Sequence, residues 1–217
     1  MKNRAGELKN KHLLDIGCAT GELAFKLAQE GAIVTGIDLN DDLLEQAKSK
    51  KNHPGHQFQK GDMLALRNDF QPRQFNGVLC FGNTLVHLLS TGSIASMLEG
   101  VQTVLKPGGV FLLQILNYDY ILDEKLTELP LIETENVTFI RRYVFEENSP
   151  LIRFQTELHL KKEEKILRNE TLLLALKSSE LKHLLKNVSF ENVEFFSSFK
   201  EEPFGGKHLP LVVSTVK

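Results

Sequence analysis

The chain has little of what marks secreted, membrane-spanning or nucleic-acid-binding proteins. It contains only two cysteines among 217 residues, too few for the disulfide framework of a small secreted domain. No apolar run is long enough to cross a bilayer, and the N-terminal Met1-Lys2-Asn3-Arg4 lacks a signal-peptide core. A formal net charge of -2 provides no basic footprint for nucleic acid. We therefore expect a cytoplasmic protein with reduced cysteines, and the composition leaves its oligomeric state open.

The first half of the chain alternates strand and helix patterns. Strands are predicted at 12–17, 32–38, 56–59, 75–81 and 109–116, and helices at 22–30, 40–51 and 93–105. Gly31 stands where a helix C-terminus favours glycine, and Lys106-Pro107-Gly108-Gly109 predicts a turn before the fifth strand. Alternating strands and helices with short connections imply a parallel sheet with helices on both faces.

The second half has a different pattern. Three extended runs at 137–145, 151–160 and 166–176 predict an antiparallel meander, followed by a helix at 178–187 and strands at 191–196 and 209–216. We therefore predict a single α/β domain over residues 1–217. Its core is a Rossmann-like, mostly parallel seven-stranded sheet, and residues 136–176 form an antiparallel insertion after the fifth strand that we expect to act as a substrate lid.

The stretch from Asp15 to Gly21 predicts a strand, a glycine turn and a helix. Gly17 allows the tight turn, while the small Ala19 and Gly21 allow a ligand to approach the backbone at the helix N-terminus. The acid at Asp15 would repel a pyrophosphate and suits a ligand that carries positive charge. The turn is therefore more specific than a general nucleotide-binding signal.

Other strand ends carry further candidate ligands. Asp38 ends the second strand, where a carboxylate can accept hydrogen bonds from both hydroxyls of a ribose. After the third strand, Asp62 can accept from an adenine amino group and Met63 can pack on the ring. Ligands bind beyond the carboxyl ends of strands in an open parallel sheet, so these residues are expected to share one site.

The order and spacing of these motifs resemble the class I S-adenosylmethionine-dependent methyltransferases. The resemblance spans roughly residues 12–117 and resumes in the last helix and strands. Within that superfamily, the segments Cys80-Phe81-Gly82-Asn83-Thr84-Leu85-Val86-His87-Leu88 and Asn117-Tyr118-Asp119-Tyr120-Ile121-Leu122 are similar to the glycine and sarcosine N-methyltransferase branch.

The resemblance implies a role for each candidate residue toward S-adenosylmethionine. The Gly17 and Gly21 backbone faces the methionine part, Asp15 orients its ammonium group through water, and the Phe81 carbonyl accepts another ammonium proton. The remaining cofactor contacts are to ribose and adenine, and they involve Asp38, Leu39, Asp62 and the Met63 amide.

The methyl acceptor is expected to be a small molecule that offers an amine nitrogen. Asn83 and His87 would face it from the loop after the fourth strand, and Tyr118 would lie near the same cavity. If the amine arrives protonated, His87 is the candidate base. The insertion carries Arg141, Arg142, Tyr143 and Arg153, and an arginine there could clamp a substrate carboxylate. Alternation places Arg141 and Tyr143 on one face, and the sequence does not decide which face meets the cavity.

Three alternatives remain open from the sequence. The chain could be a nicotinamide-dependent oxidoreductase, which Asp15 disfavours, or a cofactor-binding protein without catalysis. A nucleic-acid base methyltransferase is disfavoured because Gly82-Asn83-Thr84 stands where an Asn-Pro-Pro-aromatic pattern is typical. Only about ten residues precede the first strand, fewer than methyltransferases of this kind usually have to cover the site. His53 and His56 lack a third ligand, so no metal site is predicted.

Overall fold

The computed structural model describes residues 7–50 and 53–217. In chain order the strands are β1 (His12–Ile16), β2 (Ile33–Asp38), β3 (His56–Lys60), β4 (Phe75–Cys80), β5 (Leu105–Leu116), β6 (Ile132–Glu133), β7 (Val137–Phe145), β8 (Leu151–Leu160), β9 (Lys165–Leu174), β10 (Glu191–Phe196) and β11 (Pro210–Val216). The helices are α1 (Glu22–Gln29), α2 (Asp41–Lys50), α3 (Leu66–Asp69), α4 (Thr91–Val104), α5 (Tyr118–Asp123) and α6 (Ser178–Asn187), with a 3₁₀ turn at Thr84–His87.

Seven strands form the central sheet in the order β10-β11-β5-β4-β1-β2-β3. The strands β5, β4, β1, β2 and β3 pair in parallel, while β11 runs antiparallel to both of its neighbours. From β1 the chain proceeds to β2 on one side and later to β4 on the other. The carboxyl ends of β1 and β4 therefore define the switch point at which ligands bind in such sheets.

Helices pack on both faces of this sheet, as predicted. On one face, α1 and α2 bury small residues against the strands, including Ala24, Ala28 and Ala47. On the other face, α4 and α6 bury larger side chains in a second cluster, including Leu98 and Leu181. The two apolar layers hold the strand ends, and the turns that follow them, in fixed positions.

The antiparallel insertion is a separate four-stranded sheet in the order β6-β7-β8-β9. Its three long strands were predicted within two residues at each boundary, and the short β6 was not predicted. One face carries Tyr143, Phe154 and Thr171 in a single cross-strand row. The part of this face that lies nearest the central sheet packs on the main core. The opposite face carries charged residues. The alternation of β7 therefore places its odd-numbered side chains inward.

The remaining differences from prediction involve short elements. The predicted turn Lys106–Gly109 is a bulge inside β5, because Leu105 pairs with Phe75 while the next pair is Val110 with Gly77. The single-turn helices α3 and α5 and the 3₁₀ turn were not predicted, since their few residues carry no periodic pattern. The predicted end of α2 at Lys51 lies outside the described residues.

Candidate functional site

The glycine turn between β1 and α1 is tightly packed by two side chains. Gly17 and Gly21 have φ of 70° and 76°, in the left-handed region that favours glycine. A Cβ on Gly21 would lie 2.3 Å from Phe58 Cζ, and one on Gly17 would lie 2.6 Å from Thr84 Cγ2. Both glycines are therefore required by conformation and by space, and the turn exposes backbone rather than side chains to a ligand.

Asp15 lies beneath this turn as a buried carboxylate. It is 3% exposed, and its Oδ2 has no hydrogen-bond partner among the described residues. Burial, and to a lesser extent the neighbouring Asp38 charge, raises the pKa of Asp15 to about 7. A buried carboxylate with a vacant oxygen is suited to a cationic partner, directly or through water. An ammonium group of S-adenosylmethionine fits this requirement.

Asp38 connects the glycine turn to the end of β2. Its Oδ2 accepts a hydrogen bond from the Ala19 amide at 2.9 Å, and its Oδ1 accepts from the Asn40 amide at 2.9 Å. A carboxylate has about four acceptor positions, so capacity remains for ligand hydroxyls. The half-buried side chain also lines the adjoining cavity.

A cavity of about 370 Å³ opens at the carboxyl ends of β1, β2 and β4. Its lining combines residues from the glycine turn, the ends of β2 and β3, and the 3₁₀ turn: Ile16, Gly17, Ile37, Asp38, Leu39, Leu43, Gly61, Met63, Thr84 and His87. The structure thereby brings together candidate residues that lie up to seventy positions apart in sequence. The volume is within the range of small-molecule and cofactor sites.

The predicted adenine contacts occupy one end of this cavity. Leu39 is 58% exposed on its rim, and Met63 is buried in its wall. Asp62 is half-buried between two lining residues, and its Oδ1 accepts from the Leu64 amide at 2.9 Å. Its Oδ2 has no partner among the described residues, so one carboxylate oxygen is available for an exocyclic amine.

The Phe81 carbonyl retains capacity for the one predicted ligand contact. It already accepts a hydrogen bond from Thr84 Oγ1 at 2.7 Å, which leaves one lone pair for a ligand. The Phe81 ring packs edge-to-face on Phe199, with centroids 5.2 Å apart. The carbonyl therefore stabilises the 3₁₀ turn, and its second lone pair remains free at the carboxyl end of β4.

His87 is the titratable group that borders the cavity from the 3₁₀ turn. The side chain is exposed at the rim and makes no hydrogen bond to a described residue. Packing on its protein side lowers the pKa of His87, because desolvation penalises the imidazolium. The neutral imidazole is thus favoured near neutral pH, which is the form that can accept a proton.

Asn83 follows β4 and Tyr118 follows β5, as predicted, and their side chains bond to each other. Tyr118 is fully buried, and its hydroxyl accepts a hydrogen bond from Asn83 Nδ2 at 3.0 Å. Asn83 Oδ1 accepts from the Leu116 amide at 2.9 Å. Asn83 and Tyr118 are not among the residues that line this cavity, and neither are the candidates Asp15, Ala19, Gly21, Asp62 and Phe81, so their contacts with a ligand remain predictions. The polar atoms of Asn83 and Tyr118 satisfy buried protein groups.

The arginines of the second sheet divide between its two faces. Arg142 pairs with Glu128 at 3.0 Å and Glu157 at 3.2 Å, and Arg153 pairs with Glu146 at 3.2 Å. Arg141, on the face shared with Tyr143, has no carboxylate partner among the described residues. Its Nη2 donates to the Pro130 carbonyl at 2.7 Å, and its Nε is buried without a partner.

Five lining residues were not assigned to the site from sequence: Ile16, Ile37, Leu43, Gly61 and Thr84. Thr84 packs over Gly17 and lines the cavity, although it lies within the segment quoted for the family resemblance. Leu43 lies on α2 together with Leu44 and Ala47. Those two are buried, whereas Leu43 is half-exposed and turns toward the cavity. Helical periodicity alone could not distinguish these two directions.

Comparison with known proteins agrees with this site. Residues 13–109, which contain the glycine turn, Asp38, Asp62 and the 3₁₀ turn, match the family described as a methyltransferase domain. The match covers 97 of the 217 residues, so the similarity to a methyltransferase domain extends over the first half of the chain.

Curated relatives match this same part of the chain. A ubiquinone biosynthesis O-methyltransferase of Coxiella burnetii (strain RSA 493 / Nine Mile phase I) is 34% identical over 118 residues, 52% of this chain and 47% of that protein. Glycine N-methyltransferase of Rattus norvegicus is 30% identical over 122 residues, 51% of this chain and 42% of that protein. The matched region thus spans less than half the length of these relatives, and they differ in the acceptor atom that they methylate.

Solved structures extend the similarity of fold to nearly the whole chain. An S-adenosylmethionine-dependent methyltransferase from Clostridium acetobutylicum ATCC 824 superposes with a TM-score of 0.83 at 18% identity, covering 99% of this chain and 87% of that one. An amino pentose methyltransferase from Micromonospora echinaspora, solved with S-adenosylmethionine bound, superposes with a TM-score of 0.73 at 19% identity, covering 97% and 86%. The second sheet is therefore part of a fold already seen in methyltransferases. In the part of the chain that the structure describes, no helix combines the length and apolarity needed to span a membrane.

Proposed function

We propose that this protein transfers the methyl group of S-adenosylmethionine to an amine nitrogen of a small molecule. The observation that carries the proposal is that one cavity joins the glycine turn and Asp38 to His87. The glycine turn and Asp38 suit the cofactor, and His87 is a neutral base on the part of the wall that the 3₁₀ turn forms. Bound S-adenosylmethionine would supply an activated methyl group. The protein therefore has to bind the cofactor and the acceptor, orient them and exclude water.

The cofactor contacts proposed for this chain follow from its vacant acceptor atoms. Asp15 Oδ2 would face the cofactor ammonium, and the free lone pairs of Asp38 would face the ribose hydroxyls. Leu39 and Met63 would enclose the adenine, with Asp62 Oδ2 toward its amino group. The turn at Gly17 and Gly21 leaves space for the methionine part. Asp15 Oδ2 and Asp62 Oδ2 have no partner among the described residues, while each oxygen of Asp38 already accepts one hydrogen bond and retains a further lone pair.

His87 would accept a proton from the acceptor nitrogen. An ammonium group cannot attack the methyl carbon until it has lost a proton, and a neutral imidazole at the cavity rim can remove it. The lowered pKa of His87 keeps the imidazole in that form at neutral pH. A neutral amine has less need of a base. The presence of His87 in the cavity therefore supports an acceptor that arrives as an ammonium group.

The position and pairing of Arg141 favour an acceptor that carries a carboxylate. The arginines of the outer face lie within ion-pair distance of carboxylates, whereas Arg141 on the inner face has no carboxylate partner among the described residues; the Nε atoms of both Arg141 and Arg153 are buried without a hydrogen bond. An amino acid acceptor would give Arg141 a carboxylate partner and would be consistent with the relative from rat, which is a glycine N-methyltransferase. We therefore place amino acids first among the candidate acceptors, as in the glycine and sarcosine branch.

A panel of acceptors with radiolabelled S-adenosylmethionine tests the proposal. Amines and amino acids should accept label, while phenols and catechols should not. For a carboxylated acceptor, Arg141→Leu should raise KM at least tenfold, whereas the matched outer-face change Arg142→Leu should leave KM within twofold. Label transfer only to hydroxyl acceptors would overturn the amine assignment, and cofactor binding without any transfer would indicate a cofactor-binding protein.

A further inference from the structure

Asn83 is held in one orientation at the start of the 3₁₀ turn. The Leu116 amide can only donate a hydrogen bond, so the Asn83 atom that faces it must be Oδ1. Nδ2 then donates to the Tyr118 hydroxyl at 3.0 Å, and the Asn83 backbone amide donates to the Gln114 carbonyl at 3.2 Å. Asn83 also has a φ of 67°, in the left-handed region. This residue therefore ties the turn to the end of β5 and to α5.

Tyr118 in turn lies against the second sheet. Its ring faces that of Tyr143 on β7, with centroids 6.5 Å apart. Tyr143 is 2% exposed, packs on Phe154 at 5.3 Å, and donates its backbone amide to the Thr127 carbonyl at 2.8 Å. Its hydroxyl is buried without a hydrogen-bond partner among the described residues, and the Tyr118 hydroxyl is the neighbouring group that most affects it electrostatically.

A phenylalanine would fill the same space without the cost of a buried hydroxyl that lacks a partner. The hydroxyl of Tyr143 is therefore not explained by packing. Its location is informative, because it lies where the second sheet approaches the Asn83–Tyr118 pair. That pair leads directly into Thr84, which packs over Gly17, and then into His87 at the cavity rim.

We infer that Tyr118 and Tyr143 are positioning residues, which act through Asn83 to fix the Thr84–His87 turn against the cofactor cavity. Three side chains, Asn83, Tyr118 and Tyr143, then form a continuous path from the second sheet to that cavity. The inference concerns the turn itself and does not depend on which molecule is methylated. Only the affinity measurement below relies on the proposed cofactor.

The test compares Tyr118→Phe and Tyr143→Phe with the wild-type chain, using Tyr120→Phe as the control. Tyr120 lies on the same short helix, is only half-buried, and its hydroxyl makes no hydrogen bond to a described residue. The measurements are amide hydrogen exchange at Asn83–Leu88 in the ligand-free protein, affinity for S-adenosylhomocysteine by calorimetry, and thermal unfolding.

Both variants should exchange at least threefold faster at Asn83–Leu88 and bind S-adenosylhomocysteine at least threefold more weakly. Amide exchange in β1 should match that of the wild type, the melting temperature of Tyr143→Phe should be no lower than that of the wild type, and the control should be unchanged. The double variant should be no weaker than the weaker single variant, because both changes break one path. Unchanged exchange in both variants, or faster exchange throughout the protein, would overturn the inference. If the wild type does not bind S-adenosylhomocysteine, the exchange result still decides this inference while the proposed function fails.

Discussion

At the scale of single residues, the site depends on polar groups that the protein itself leaves unpaired. Asp15 is buried beside a turn that exposes backbone, and His87 borders the cavity without a hydrogen bond to a described residue. Asp38, by contrast, is partly used to hold the turn. Asp38 and His87 thus line one cavity, where Asp38 holds the turn and His87 is available to a ligand, while Asp15 lies beneath the turn. The protonation of Asp15 and His87 gives two measurable predictions.

Cofactor affinity should depend on the ionisation of Asp15. Burial raises the pKa of Asp15 to about 7, so the carboxyl is largely protonated below that pH and is then a poor partner for an ammonium. Affinity for S-adenosylhomocysteine should rise with pH up to about 7, by about tenfold per pH unit at the steepest. Calorimetry from pH 5.5 to 8.5 measures this, and Asp15→Asn should bind more weakly with a flat profile. An equally steep profile in Asp15→Asn would show that another group is responsible.

Turnover should require neutral His87. Because desolvation lowers the pKa of His87 below its ordinary 6.5, activity should be retained down to that lower pKa and lost on further acidification. His87→Gln should reduce kcat by about 10²–10⁴-fold, the usual contribution of a general base, and remove the acidic limb. Affinity for S-adenosylhomocysteine should change less than threefold. Equal losses of kcat and cofactor affinity would indicate instead that His87 maintains the fold of the turn.

At the scale of elements, the glycine turn is determined jointly by sequence and packing. The pattern from Asp15 to Gly21 predicts a strand, a turn and a helix, and all three are present. What it does not indicate is that Phe58 from β3 and Thr84 from the 3₁₀ turn occupy the space beside the two glycines. These contacts join residues far apart in sequence, so they emerge only when the sheet has formed.

Replacing Gly21 by alanine should therefore lower the free energy of unfolding more than the same replacement at a glycine of similar backbone geometry. Gly108 has a φ of 71° with nothing within 4 Å of its added Cβ, so Gly108→Ala tests backbone strain alone, roughly 1–2 kcal/mol. Gly21→Ala adds the contact with Phe58, and overpacking of this kind costs about 1–3 kcal/mol more. Urea unfolding of both variants measures the difference. Equal destabilisation would mean that Phe58 moves aside freely.

The long elements of the second half were predicted more accurately than the short ones. The predicted bounds of α6 and β10 agree with the structure, and β7 and β8 also match. Each has a repeating pattern over at least six residues. The helix α5 and the 3₁₀ turn were missed because a single helical turn has no period to detect and is stabilised mainly by its surroundings.

At the scale of the whole molecule, one main sheet carries the proposed cofactor contacts and a second sheet adjoins it. The two are joined through buried side chains around Tyr118 and Tyr143, within one apolar cluster. A ligand bound at the main sheet should therefore stabilise the native state as a whole, because binding to the native state alone shifts the unfolding equilibrium.

Thermal unfolding with candidate ligands separates the two nucleotide classes considered from sequence. S-adenosylhomocysteine at 100 times its dissociation constant should add about 2.7 kcal/mol to the free energy of unfolding. For a chain of this size, that corresponds to a rise in Tm of roughly 5–10 °C. NAD at the same concentration should produce no shift. Stabilisation by NAD and not by S-adenosylhomocysteine would contradict the assignment of the cavity.

The sequence by itself determined the α/β class, the order of the strands along the chain and the strand ends that carry Asp15, Asp38 and Asp62. It could do so because periodicity and turn residues are local, and because parallel strands bring their carboxyl ends to one edge. Only the tertiary structure decided that Asn83 bonds Tyr118, and that Arg141 faces inward while Arg142 is ion-paired outside. The partner of a polar side chain depends on which distant residue packing brings within 3 Å, and that information is not contained in any single segment.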